Sequence, residues 1–167
     1  MTVAKRIELG ANIAIIIVAV LIGTVLVRNY FMPGRSRARQ SNATLPVGTQ
    51  IKLDSDWKSN GQTLLIFLQK GCHFCQESAP FYQRVIRETD GRPNLHLIAI
   101  LPQSVDESRE YLNKLGIKIV DLRQASLDQF GIGGTPTLVL VDDKGEVTAS
   151  WVGKLADNDQ AEVLKRL

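Results

Sequence analysis

A chain of 167 residues, 44% hydrophobic and 22% charged with two cysteines, can bury one core of its own and is neither disordered nor a disulfide-dense mini-protein. Its net charge of +3 is uneven: Lys5, Arg6, Arg28, Arg35, Arg37 and Arg39 precede residue 41 against Glu8 alone, and beyond it acids slightly outnumber bases. This excess flanks an apolar run and forms no aromatic-interleaved patch, which argues against a nucleic-acid partner.

Residues 1–8 read as a short tail and 9–28 as a membrane anchor. The stretch GANIAIIIVAVLIGTVLV holds no charge, and as a helix Leu9 to Val27 extends roughly 28 Å, enough to cross a bilayer. It is apolar on all sides, unlike a one-sided helix of a soluble core. A cleaved signal peptide is the rival reading, but the small residues of a cleavage site are replaced by bulky Val27, Tyr30 and Phe31. Residues 29–45 read as a flexible linker, most of which (32–45) combines Pro, Gly, Ser, Asn and Arg with almost no apolar content. The domain then spans 46–167.

Within it, TQIKL offers a short strand, and TLLIFLQ, with no polar face, suits a central strand buried on both sides. Phe74 to Thr89 follows as an amphipathic helix with Phe74, Phe81, Tyr82, Val85 and Ile86 on its apolar side. LHLIAIL is a strand. SVDESREYLNKLG opens on a capping box, Ser104 with Glu107, and closes at Gly116 as a helix. IKIVDL reads as a strand and SLDQFG as a short helix. TPTLVLV and VTASWVG, joined by the turn DDKG, form an antiparallel hairpin. Residues 157–167 read as a helix capped by Asp157, with Ala161, Leu164 and Leu167 on one face. The order predicts an α/β domain: a mixed central sheet with helices on both faces.

The chemistry concentrates at QKGCHFCQESAP, between the buried strand and the first helix. A thiol at a helix N-terminus loses its proton more easily than a free one, so Cys72 is the candidate attacking thiolate. Cys75, one turn on, can close a disulfide with it and resolve a mixed disulfide. His73, when protonated, would favour the Cys72 thiolate; the alternative is a solvent-facing turn residue. Phe74 is either helix packing or an apolar rim for an unfolded substrate. A zinc site would have to recruit both histidines, His73 wedged between the cysteines and His96 inside an apolar strand, and the set barely suffices. Haem attachment needs a histidine after the second cysteine, where Gln76 stands. An inert disulfide closing so short a loop would remove little unfolded-state entropy. No cofactor is expected.

With these residues in view, TLLIFLQKGCHFCQESAPF resembles the strand, C-x-x-C and helix of the thioredoxin superfamily, Pro80 standing where that helix carries its kinking proline. GIGGTPTLVLVDDKGEV is similar to the family's second signature, in which a cis proline faces the disulfide; this implies that Pro136, preceded by Thr135, binds the substrate backbone. LPVGTQIKL and the added helix and strand SVDESREYLNKLGIKIVDL are similar to the TlpA-like branch, whose members are commonly membrane-anchored and act on thiols outside the cytoplasm, among them the haem-binding cysteines of immature cytochromes c. The chain departs from the family at Gly71 (tryptophan), at His73-Phe74 (Gly-Pro) and at Ile66 (a buried acid). Gln69, where a peroxidatic cysteine is preceded by Thr or Ser, disfavours peroxiredoxin activity.

The resemblance implies a thioredoxin-like domain with a helix–strand insertion on one transmembrane helix, exchanging disulfides with protein substrates and a membrane or thioredoxin-type redox partner. The competing reading is a tethered binding module whose disulfide does not exchange. The sequence leaves the direction of exchange open. The arginines after the span put the domain in the cytoplasm by the positive-inside rule, whereas the chemistry and the resemblance put it on the periplasmic side.

Overall fold

The computed structural model describes residues 44–167, together with Val18 and Val20. It divides the chain into Met1–Ser41 and Asn42–Leu167. The expected tail (1–8), anchor (9–28) and linker (29–45) lie outside the described residues, apart from Thr44, Leu45 and the helical, exposed Val18 and Val20. Among the described residues no helix is long and apolar enough to cross a membrane.

The second unit is built on a five-stranded sheet of order β3-β2-β1-β4-β5, formed by β1 (Gln62–Phe67), β2 (Leu95–Leu101), β3 (Asp121–Gln124), β4 (Thr137–Val141) and β5 (Val147–Val152). Long connections leave β1, β2 and β3 parallel, while the tight turn after Val141 makes β4 and β5 antiparallel. β1 is central because Leu64–Phe67 carries no polar side chain: Leu64 and Ile66 enter one core, Leu65 and Phe67 the other.

The helices are α1 (Trp57–Asn60), α2 (His73–Glu77), α3 (Ala79–Thr89), α4 (Val105–Lys114) and α5 (Asp157–Arg166). From β1 to β2 to β3 the chain steps the same way across the sheet, and right-handed crossovers then place α3 and α4 on the same face. Tyr82, Val85, Leu112 and, from α5, Val163 fill that core. The opposite face is covered by a thin layer: Ile51, the single turn α1 with Trp57, and the 3-10 turn Asp128–Phe130 leading to Ile132. Helices do lie on both faces as expected, but every long one lies on the first.

Several expected elements differ. The strand expected in TQIKL is an isolated bridge, Gln50 to Glu146. Its partner strand gives way to the hairpin turn there, so the Ile51 amide reaches the turn carbonyl of Gly145 (2.9 Å) and the ladder stops. In IKIVDL the alternation is real, Ile117 and Ile119 buried and Val120 exposed, yet pairing with β2 starts only at Ile98 with Asp121 and the strand runs on to Gln124. The helix expected from Phe74 to Thr89 is broken at Ser78, with Pro80 in the first turn of α3 where its missing N–H costs nothing. Asp157 is the first residue of α5, not its cap; Ala156 holds that position, and Ala161 is exposed while Val163 is buried.

Candidate redox site

The pairing of Phe67 with Thr137 fixes the site. Since β4 runs antiparallel to β1, the residues just before β4 must lie beside those just after β1, and these are Thr135-Pro136 and the cysteine loop. Gly71, at φ +83, turns the chain into α2. Cys72 is the N-cap: its Sγ accepts the Cys75 amide at 3.2 Å, the place a serine or aspartate oxygen usually takes. Cys72 and Cys75 form a disulfide. Cys72 is partly buried and Cys75 wholly so.

The Cys72 Sγ lies 3.4 Å from the Thr135 carbonyl oxygen, and the Thr135-Pro136 peptide is cis. Pro136 is buried, and its carbonyl accepts the Gly153 amide at 2.7 Å. The Thr137 hydroxyl donates to the Gly134 carbonyl at 2.7 Å. The loop is thus held to β5 on one side and to its own glycine turn on the other.

His73 and Phe74 are both exposed, their rings tilted and 5.6 Å apart. Phe74 is 54% exposed, which corrects its assignment to the packed side of the helix: it precedes the buried stripe that Cys75 begins. His73 Nε2 lies 3.1 Å from Glu77 Oε1, and Lys154 Nζ donates to Glu77 Oε2 at 3.1 Å. The Lys154 hydrogen bond holds the Glu77 carboxyl below its ordinary range against the opposing effect of burial, with lesser help from the charges of Lys154 and His73.

Sequence reasoning missed this Glu77 bridge, although the four-residue spacing from His73 is a helix-pair signal. It also missed the contacts of the inserted helix. The Lys70 amide donates to Gln103 Oε1 (3.2 Å) and its ammonium to Glu107 Oε1 (3.0 Å). Ser104 caps the Glu107 amide as expected, but the Glu107 carboxylate is turned to the loop before Cys72 and not back to Ser104.

Behind Cys75 the interior is uncharged. Among the described residues no Asp, Glu, Lys, Arg or His is buried; the buried polar side chains are Thr63, Ser78, Thr89, Ser108 and Thr137, with Tyr82 and Tyr111 in the same core as Cys75. Ile66 is completely buried. Burial pushes the Tyr82 phenol far above its ordinary value; the Ser78 hydroxyl lies near enough to offset part of this, without meeting hydrogen-bond geometry. A cleft of about 600 Å³, lined by Gly61, Arg92, Asn94 and Asp142 among others, opens at the far end of β1 and contains no sulfur.

The model of a family described as a thioredoxin-like domain matches residues 55–167. No curated protein matches the chain. Among solved structures, StoA from Bacillus subtilis is similar at 16% identity over 64% of this chain and 82% of that one, with a TM-score of 0.52. A thiol-disulfide isomerase from Corynebacterium glutamicum matches at 16% identity over 74% and 91%, TM-score 0.55. A secreted Mycobacterium tuberculosis disulfide oxidoreductase homologous to E. coli DsbE matches at 14% identity over 75% and 96%, TM-score 0.54. These likenesses are of fold.

Proposed function

The chain belongs to the thioredoxin-like family, and from that membership we propose that it is a thiol-disulfide oxidoreductase acting on protein substrates through Cys72 and Cys75. The observation that carries the reading is a disulfide between one accessible and one buried sulfur beside the Thr135-Pro136 loop. As an oxidant, the disulfide is opened at Cys72 by a substrate thiolate: a mixed disulfide forms and Cys75 leaves as thiolate with the bonding electron pair. A second substrate thiolate then attacks the substrate sulfur of the mixed disulfide. Cys72 leaves, and the dithiol remains. As a reductant, the steps run backwards, with Cys72 attacking and Cys75 resolving. Thr135 and Pro136 hold the substrate backbone beside Cys72, while His73 and Phe74 modulate the site from its rim.

In the full chain this domain is carried on residues 9–28 as a single span in the lipid bilayer, with 29–45 as linker, and faces the periplasmic side. The charge-free run supports the span, and the secreted relative supports the side. Its partners are substrate protein thiols or disulfides, such as those handled in cytochrome c maturation or extracytoplasmic disulfide formation, and a membrane or thioredoxin-type protein that resets the pair. A reporter fused after Leu167 that works only outside the cytoplasm tests the side.

Equilibration of the full chain in glutathione buffers, with trapping of mixed disulfides by the Cys75→Ala variant, tests the activity. A measurable poise within the glutathione range and a trapped protein partner are expected. A pair that stays oxidised throughout that range and traps nothing sinks the reading.

A further inference from the structure

Cys75 is completely buried, and when the disulfide opens it must exist there as thiol or thiolate with no charged side chain buried near it. A thiolate in such a place needs a hydrogen-bond donor. Three buried side-chain oxygens among the described residues have no hydrogen-bond partner: Thr63 Oγ1, Ser78 Oγ and Tyr111 Oη. Thr63 sits at the start of β1, the end away from the cysteines. Ser78 is three residues after Cys75, at the junction of α2 and α3, where it keeps right-handed helical angles (φ −86, ψ −5) and its amide donates to the Phe74 carbonyl at 3.0 Å. Residues three apart on a helix face each other, about 5–6 Å between Cβ atoms.

An unpartnered buried hydroxyl calls for explanation, because a serine in a helix can bond back to the carbonyl one turn earlier. Thr89 in α3 does so, to the Val85 carbonyl at 2.8 Å. Ser78, at 5% exposure, does not. Cys75, Ser78 and Tyr82 are all buried, and Tyr82 and Tyr111 pack in the core that Cys75 shares.

Resting on the oxidoreductase reading above, we propose that Ser78 is a positioning residue for Cys75: its Oγ–H makes no hydrogen bond while the disulfide is closed and donates to the Cys75 sulfur once it opens. In the step that closes the disulfide, the Cys75 thiol gives its proton to solvent, and the Ser78 hydroxyl stabilises the thiolate left behind. That thiolate attacks Cys72 Sγ, a new S–S bond forms, and the substrate thiolate leaves with the electron pair. Ser78 thereby favours the dithiol form and speeds resolution.

The test compares the full chain with Ser78→Ala and Ser78→Thr. Equilibrium with glutathione and the rate at which Cys75 resolves a preformed Cys72–glutathione mixed disulfide are read by mass. Ser78→Ala is expected to shift the equilibrium about tenfold toward the disulfide, about 30 mV for a two-electron couple, and to slow resolution by a similar factor, with the first attack at Cys72 unchanged. Ser78→Thr, which keeps the hydroxyl, stays within about twofold. Ser78→Ala values within twofold of wild type on both readouts overturn the proposal. A second readout separates this from misfolding: in the Cys72→Ala chain Cys75 is the one thiol, and the pH at which its thiolate absorbance appears must rise on adding Ser78→Ala but not on adding Ser78→Thr; an unmoved titration with Ser78→Ala also overturns it. If wild type itself never exchanges with glutathione, the oxidoreductase reading fails; if wild type exchanges and Ser78→Ala matches it, this inference alone fails.

Discussion

Cys72 Sγ lies 3.4 Å from the Thr135 carbonyl oxygen at the surface end of the disulfide, while Cys75 is sealed beneath it. The two sulfurs of one bond therefore differ in access and in surroundings. Cys72 caps a helix and accepts an amide at 3.2 Å, which favours its thiolate. Cys75 is buried in the apolar core, with no charged side chain buried among the described residues.

In the reduced chain at mildly acidic pH, iodoacetamide should label Cys72 at least about tenfold faster than Cys75, since thiolate character and access act in the same direction. Peptide mapping of singly labelled protein reads the ratio. Equal rates would contradict both the capping argument and the burial of Cys75.

Much of this arrangement was legible beforehand. The unbroken apolar run Leu64–Phe67 gave the central strand, DDKG the hairpin, and Ser104 the α4 cap, because each depends on neighbours in sequence. The features that escaped depend on what lies across the molecule. Ile117 and Ile119 alternate as a strand does, but β2 offers no pairing there; periodicity reports burial, and a strand also needs a partner. The Glu107 carboxylate follows the capping motif, yet Lys70 from another loop takes it. Likewise Lys154 is 77 residues from the Glu77 that it meets.

Phe74, 54% exposed next to Cys72, buries little of its ring in the domain. Phe74→Ala should alter stability by less than about 0.5 kcal/mol, as exposed substitutions do. If the ring is the apolar rim for substrate, the same variant raises KM several-fold for an unfolded protein while leaving the rate with a small aromatic disulfide unchanged. Equal KM for the protein substrate would remove Phe74 from the binding surface; a stability loss of several kcal/mol would return it to the packing role first expected.

Acid should weaken the domain partly through Asp121. Burial raises its carboxyl pKa, but the paired hydrogen bonds from Arg123 and the contact with His96 Nε2 at 3.0 Å outweigh it, leaving the pKa below the ordinary value. A lowered folded-state pKa means that the stabilisation is complete above the unfolded value of about 3.9 and fades as pH falls through the lower folded value. Asp121→Asn should cost about 1 kcal/mol near neutral pH, and the gap to wild type should close in acid. Urea unfolding at both pH values checks it. A gap that persists at low pH would mean that shape, not charge, is what Asp121 contributes.

The thin face of the sheet makes the last expectation sharp. Gly145, at φ +77 in the β4–β5 turn, would place a Cβ 2.7 Å from Trp57 Nε1 and 2.9 Å from Gln50 Nε2. Those side chains come from α1 and from the segment bridged to Glu146, two of the covers on that face. Gly145→Ala therefore combines a left-handed backbone, about 1–2 kcal/mol for a residue with a Cβ, with a clash against the Trp57 ring, about 1–3 kcal/mol. Gly48→Ala is the control: its φ is +85, but nothing lies within 4 Å of the added carbon, so only the backbone cost applies. Urea midpoints should rank wild type, Gly48→Ala, Gly145→Ala from most to least stable. The glutathione equilibrium should stay within twofold in both variants, because Gly145 lies at the end of the sheet away from Cys72. Equal losses for the two glycines would show that the Trp57 cover yields freely, and that the thin face is held by the Phe130 turn and Ile132 instead.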